Sequence, residues 1–243
     1  MAVQNVMASG NSTNVVALLD RWFYFGMSLL IAIIAMYGFG QTIDRSLIHP
    51  TIPRPFILYV HAPLFVAWVG VFIAQTSLVR SRNMRWHRRL GISAAVLGIF
   101  MVGSGIAVAI AMRKFDIANH LSKKPEFLSI PFSDMIVFAV LLALAVHWRR
   151  KPEIHRRLML VATCALLDAA LTRFPPAHPF WMTYVGVDLI ISFGLLRDLV
   201  VLRRVNPVYL YGLPALVAAQ AVALLLYVYP PQWWSAVCQA LVT

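Results

Sequence analysis

The sequence predicts an all-α, polytopic integral membrane bundle of seven transmembrane helices, and three observations carry that prediction. Composition is the first: 60% of the 243 residues are hydrophobic and 12% are charged, with a mean hydropathy of +0.76, whereas soluble domains are about half apolar. Segment length is the second, because apolar runs near the ~20 residues needed to cross ~30 Å of hydrocarbon recur along the chain. The third is the placement of charge. The net charge of +12 stands at the ends of these runs and not on a water-facing surface, which assigns it to topology and lipid contact and leaves no face for nucleic acid.

Taken in order, residues 1–20 form a polar N-terminal segment that lacks the basic region, apolar stretch and cleavage site of a signal peptide. The transmembrane domain covers residues 21–229, with spans at roughly 22–40, 57–79, 90–112, 131–148, 156–173, 180–197 and 208–228. The fifth and sixth are the weakest, since each carries an aspartate, and without that pair five crossings would remain. Their flanks are as apolar as the others, so both are kept. Residues 230–243 form an interfacial tail, anchored by the aromatic run YPPQWW at 229–234. Cys164 falls in the fifth span and Cys238 in the tail, so the two thiols make no disulfide framework.

Arg80, Arg82, Arg85, Arg88 and Arg89 lie between spans two and three, and Arg149, Arg150, Lys151, Arg156 and Arg157 between four and five. Arg197, Arg203 and Arg204 lie between six and seven; with Arg21 these place 14 of the 21 basic residues on one side. Basic residues mark the cytoplasmic side. The expected arrangement is therefore a multi-pass protein of the bacterial inner membrane, N-terminus cytoplasmic and C-terminus periplasmic.

The tetrad HRRL is written twice, at 87–90 and 155–158, each time at the cytoplasmic start of an outward-running helix. Spans two and three then correspond to spans four and five as a parallel two-helix repeat. Arg88, Arg89, Arg156 and Arg157 are expected to reach anionic head groups, each worth on the order of 1 kcal/mol. The repeat also puts His87 and His155 at equivalent depth.

The stretch HRRLMLVATCALLDAALTR (155–173) resembles a group of bacterial polytopic membrane proteins that share an HRRLM-type helix start. The layout of helices two to five is similar to that of transmembrane di-haem b-type cytochromes. That resemblance implies haem b ligation by His87 and His155 on helices three and five, with His61 on helix two belonging to the opposite side. The sequence departs from the pattern at helix four, where Asp134 stands in place of a histidine and His120 lies in the preceding loop.

Ionisable groups inside spans are costly, about 2.5–3.5 kcal/mol on insertion scales, and mark functional positions by default. Asp168 lies about 7.5 Å inside the outer end of helix five and Asp188 about 10 Å inside that of helix six, by helical rise. His61 and Asp134 sit near the outer ends of helices two and four. Cys164, Asp168 and Thr172 are spaced by four, and Trp181, Tyr184, Asp188 and Ser192 by three and four, so each aspartate rides a polar stripe. Two readings stand. In one, His61, Asp134, Asp168, Arg173, Tyr184 and Asp188 line an outward-facing pocket that binds or conducts a small solute or protons, with no catalytic residue and no metal. In the other, Asp168, Asp188 and Arg173 form a buried cluster that only sets helix register, as in an accessory subunit of a larger membrane complex.

Gly91, Ala95, Gly98, Gly105 and Ala109 share one face of helix three, a small-residue packing seam. No HExxH, GxSxG, P-loop or dinucleotide fingerprint occurs, and span seven has no lysine for a retinal-type Schiff base.

Overall fold

The computed structural model describes residues 2–122 and 124–243, with side chains from residue 16 onward. Among the described residues there is no strand. The helices are α1 (Ala2–Gly40), α2 (Phe56–Arg80), α3 (Met84–Ala118), α4 (Ser129–His147), α5 (Pro152–Ala165), α6 (Asp168–Leu171), α7 (Trp181–Leu202), α8 (Pro207–Val228) and α9 (Gln232–Val242). A 3₁₀ turn, Pro125–Leu128, leads into α4.

Five segments are long and apolar enough to cross a membrane: Val16–Gly40, Phe56–Arg80, Met84–Ala118, Pro125–His147 and Pro207–Val228. Large apolar side chains such as Ile33, Met36, Val66, Ile92 and Ile99 stand exposed on their outer surfaces. In water such a surface would aggregate; against acyl chains it is the solvated face. The protein is therefore a helical, membrane-embedded, multi-pass protein. Helix boundaries follow local chemistry. Asn83 caps α3 by accepting from the Trp86 amide at 3.4 Å, Asn206 caps α8 by accepting from the Val208 amide at 3.0 Å, and Pro152 and Pro207 open their helices where no amide donor is needed.

The two remaining predicted spans take a different form. Residues 156–173, expected as one continuous helix, divide into α5 and the single turn α6. At the break the amides of Leu166 and Leu167 bond three residues back, to Thr163 and Cys164, so the helix tightens just before Asp168. Leu158 and every residue from Leu160 to Ala165 are buried, because α5 runs through the middle of the bundle against α4, α7 and α8. A helix enclosed on all sides need not be lipid-compatible. The sixth run, expected to end at 197, continues as α7 to Leu202 and carries Asp188, Arg197 and Asp198.

Helix contacts order the bundle: α1 lies on α2, α6 and α7, α2 on α3, α3 on α4, and α4 on α5 and α8. The small-residue seam of α3 serves two purposes. A Cβ on Gly98 would stand 2.3 Å from a Leu142 methyl and one on Gly105 2.3 Å from the Met135 sulfur, so these glycines set the approach of α4. Gly91 and Ala95 instead line the cavity described below, where a Cβ on Gly91 would meet Gln75 Nε2 at 3.6 Å. At the C-terminus, α9 folds back so that Trp234 and Cys238 are buried with Leu128, while Trp233 stays exposed.

Candidate functional site

The polar groups expected in one outer layer resolve into three separate places. Asp134 on α4 and Asp168 at the start of α6 are both buried. Their carboxyl groups face each other at close range. The Tyr184 hydroxyl donates to Asp134 Oδ1 at 3.4 Å. Arg173 faces Asp168 electrostatically, but its guanidinium is spent on the Ala169 carbonyl, on Thr42 Oγ1 at 3.1 Å and on the Phe39 ring at 4.6 Å. Asp188 is elsewhere, accepting from Gln220 Nε2 of α8 at 3.2 Å. His61 is apart from both, its Nδ1 3.4 Å from Ser104 Oγ and its ring against Phe65. Asp168 thus meets Asp134 and not Asp188.

At the opposite, arginine-rich end the chain opens. A cavity of about 1590 Å³ lies among α1, α2, α3, α4 and α5. Trp68, Phe72 and Leu142 form its apolar floor, and Gly91, Ala94 and Ala95 keep its α3 wall low. Both tetrad histidines line it. His87 and His155 come from different helices, yet their ring centroids are 6.5 Å apart at an interplanar angle of 79°.

The spacing of the two rings is that of an edge-to-face aromatic pair and is also compatible with two imidazoles on one metal. A metal–imidazole bond is about 2.0–2.1 Å and a ring nitrogen lies ~1.1 Å from its centroid, so two imidazoles on opposite sides of one metal hold their centroids about 6.3 Å apart. The rings turn freely about such bonds, so a steep interplanar angle is compatible. Hydrogen bonding points the same way. His155 Nδ1 lies 2.8 Å from the Ala145 carbonyl, which only accepts, so Nδ1 is the donor and Nε2 is the nitrogen left over for another partner. Ala145 is in the last turn of α4, where carbonyls lack helical partners. His87 Nδ1 is buried and makes no hydrogen bond, and Gln75 of α2 lies against the same ring. Among the described residues no three His, Cys, Asp or Glu side chains gather to hold a metal. A metal between these two rings must therefore bring most of its own ligands, as iron in a porphyrin does.

Arginines surround the mouth. Arg21 of α1, Arg80 of α2, Arg88 of α3 and Arg156 of α5 line the cavity, as do Arg82, Arg149 and Arg150 from the connecting loops. One acid lines it, Asp20, and that carboxylate is already in contact with Arg197. Arg156 pairs with Glu153 at 2.7 Å. Among the described residues Arg80, Arg82, Arg88, Arg149 and Arg150 have no carboxylate partner.

Sequence reasoning missed the charged cluster beside this cavity. Arg157 is fully buried and grips Asp198 of α7 with two bonds, Nε to Oδ2 at 2.7 Å and Nη2 to Oδ1 at 2.6 Å. It also reaches Glu153 at 2.8 Å, while Arg197 donates to Asp198 at 2.7 Å and touches Asp20. Arg157, expected at lipid head groups, has no exposed surface to offer them; Arg88 and Arg89 are exposed and Arg156 half-buried. The signal was the adjacent Arg197 and Asp198 pair at the end of an apolar run, where a lone loop arginine would need no acid beside it.

Compared with protein-family models, curated proteins and solved structures, the chain matches none.

Proposed function

We propose that this is a seven-span membrane protein of the bacterial inner membrane that holds a b-type haem between His87 and His155 and passes electrons. The observation that carries the reading is the 6.5 Å separation of two imidazoles that both line a cavity of about 1590 Å³. The fit is chemical as well as geometric. The walls supply apolar and small side chains for a flat macrocycle, and the mouth supplies arginines for its two carboxylates. When bound, a haem contributes a one-electron couple whose potential follows its axial ligands and burial.

The chain's own residues do the rest. Ala145 fixes the tautomer and direction of the His155 ring through its carbonyl. Trp68 and Phe138, edge to face at 5.1 Å, close the floor and exclude water. Arg149 and Arg150, which line the same cavity, would pair with the anionic substituents of the macrocycle. The outward solute or proton pocket has less behind it. Its acidic pair is buried and its remaining members stand apart, which fits helix registration; an accessory-subunit role is compatible with either site.

The test is an absorption spectrum of full-length protein expressed with ample haem precursor. A Soret band is expected, lost in His87→Ala and in His155→Ala but retained in Asp168→Asn. A wild-type protein that is monodisperse and haem-replete in supply yet shows no Soret band refutes the proposal, and so does full haem retention in both histidine variants.

A further inference from the structure

We infer that the arginine-lined cavity also takes an anionic phospholipid, entering sideways from the leaflet at the basic end. This stands whether or not the histidines hold a porphyrin. Space is the first argument: about 1590 Å³ exceeds the roughly 300–1,000 Å³ of a pocket for one small ligand. Charge is the second. The two carboxylates of a porphyrin would answer two arginines, and at least three of those without an acid partner would remain. Arg80 is the most committed of these, because its guanidinium is held by ring faces, 3.9 Å over Trp22 and 5.0 Å over Phe25, and its buried Nε has no hydrogen-bond partner. Aromatic faces fix the cation without neutralising it, so its donors stay available to an anion.

A lateral opening identifies the anion as a lipid. Arg88, Ile92, Val96 and Ile99 follow one another at helical spacing along α3, all four line the cavity, and all four are exposed on the outside of the bundle. The wall of the cavity is there also the face that meets acyl chains. A phosphodiester at Arg80 and Arg88 would lay its chain along Ile92, Val96 and Ile99, whereas free phosphate has no use for the apolar stripe.

Full-length protein in nanodiscs of equal phosphatidylglycerol and phosphatidylcholine, released for native mass spectrometry, tests this. Wild type should retain phosphatidylglycerol in preference to phosphatidylcholine. Arg80→Gln and Arg88→Gln should each cut that preference about five-fold, the share of one arginine near a charged membrane surface. Arg85→Gln, at an exposed arginine outside the cavity, should leave it unchanged. The lipid ratio is read beside the Soret band of the same samples, which separates this outcome from loss of haem. Equal retention of both lipids by wild type overturns the inference, as does a fall in Arg85→Gln matching that in Arg80→Gln, since diffuse surface charge would then explain the preference. Displacement of the lipid by millimolar inorganic phosphate would assign the site to a free anion and overturn it too. Should Arg80→Gln fail to fold, the wild-type measurement and Arg88→Gln decide.

Discussion

Arg89 and Arg157 hold the same position in the two HRRL tetrads and have opposite surroundings. Arg89 is exposed beside the Trp86 ring, 5.4 Å from its centroid. Arg157 is sealed between α5 and α7 with both carboxylate oxygens of Asp198 occupied. A buried pair is weak evidence of net stability, because desolvation offsets attraction, but removing one partner strands the other charge at a cost of about 3–5 kcal/mol. Asp198→Asn and Arg157→Gln should therefore lower the thermal unfolding midpoint of the purified protein sharply, and Arg89→Gln should leave it within experimental error. Equal effects of Arg89→Gln and Arg157→Gln would show that burial of Arg157 does not govern its role. The Cys238 thiol, outside the spans, is pushed up to about 11, chiefly by burial and secondarily by Glu126. Below that value it stays protonated, so maleimide labelling of Cys238 should be negligible at pH 7.5 and appear on unfolding; rapid labelling of native protein would contradict its packing against Leu128 and Trp234.

Among elements, α6 is the one whose position rests on a backbone contact. A Cβ on Gly38 of α1 would lie 2.3 Å from the Ala170 carbonyl oxygen, and main chain cannot swing aside. Gly38→Ala should destabilise by about 1–3 kcal/mol, the range of overpacked cores. Gly105→Ala should cost less, since the obstacle there is the flexible end of Met135. Thermal unfolding of the two variants in detergent compares them, and an unchanged midpoint for Gly38→Ala would mean that α1 and α6 do not touch this closely. These two glycines also show what was legible in the sequence. Long apolar runs announce a lipid-facing helix through composition alone, so the five outer segments were readable to within a few residues at most ends. The helix α5 was readable as helix but not as broken, because its tightening at Leu166 answers neighbours from α4, α7 and α8 that no local pattern encodes. For the site, the expected HRRL repeat set His87 and His155 level with each other, and their rings lie 6.5 Å apart. Helical spacing could not separate Asp188 from Asp168, because equal depth says nothing about which neighbouring helix each side chain faces.

At the scale of the molecule, the remaining matter is whether α5 with α6 and α7 cross the membrane, since neither has the length and apolarity of the other five. Depth markers along α4 speak to it. His155 of α5 bonds Ala145 near the C-terminal end of α4, and Asp168 of α6 faces Asp134 near its N-terminal end, so α5 and α6 together run antiparallel to α4 over most of its length. For α7, Tyr184 reaches the same Asp134, and Asp198 reaches Arg157 in the first turns of α5. Both segments thus connect the levels that α4 connects, and they tolerate charge because the other helices stand between much of their surface and lipid. The proposed seven crossings put Ala177 on the opposite side from Arg150, whereas a chain with only the five apolar crossings would put them on the same side. Single cysteines at these positions, in a background lacking Cys164 and Cys238, read the difference with a membrane-impermeant maleimide on intact cells. Labelling at 177 and protection at 150 until the cells are opened is the expected result, and it also places the arginine-lined cavity on the cytoplasmic side. Matching accessibility at the two positions would remove α5, α6 and α7 from the count of crossings, and the reverse pattern would place the histidine pair at the outer surface.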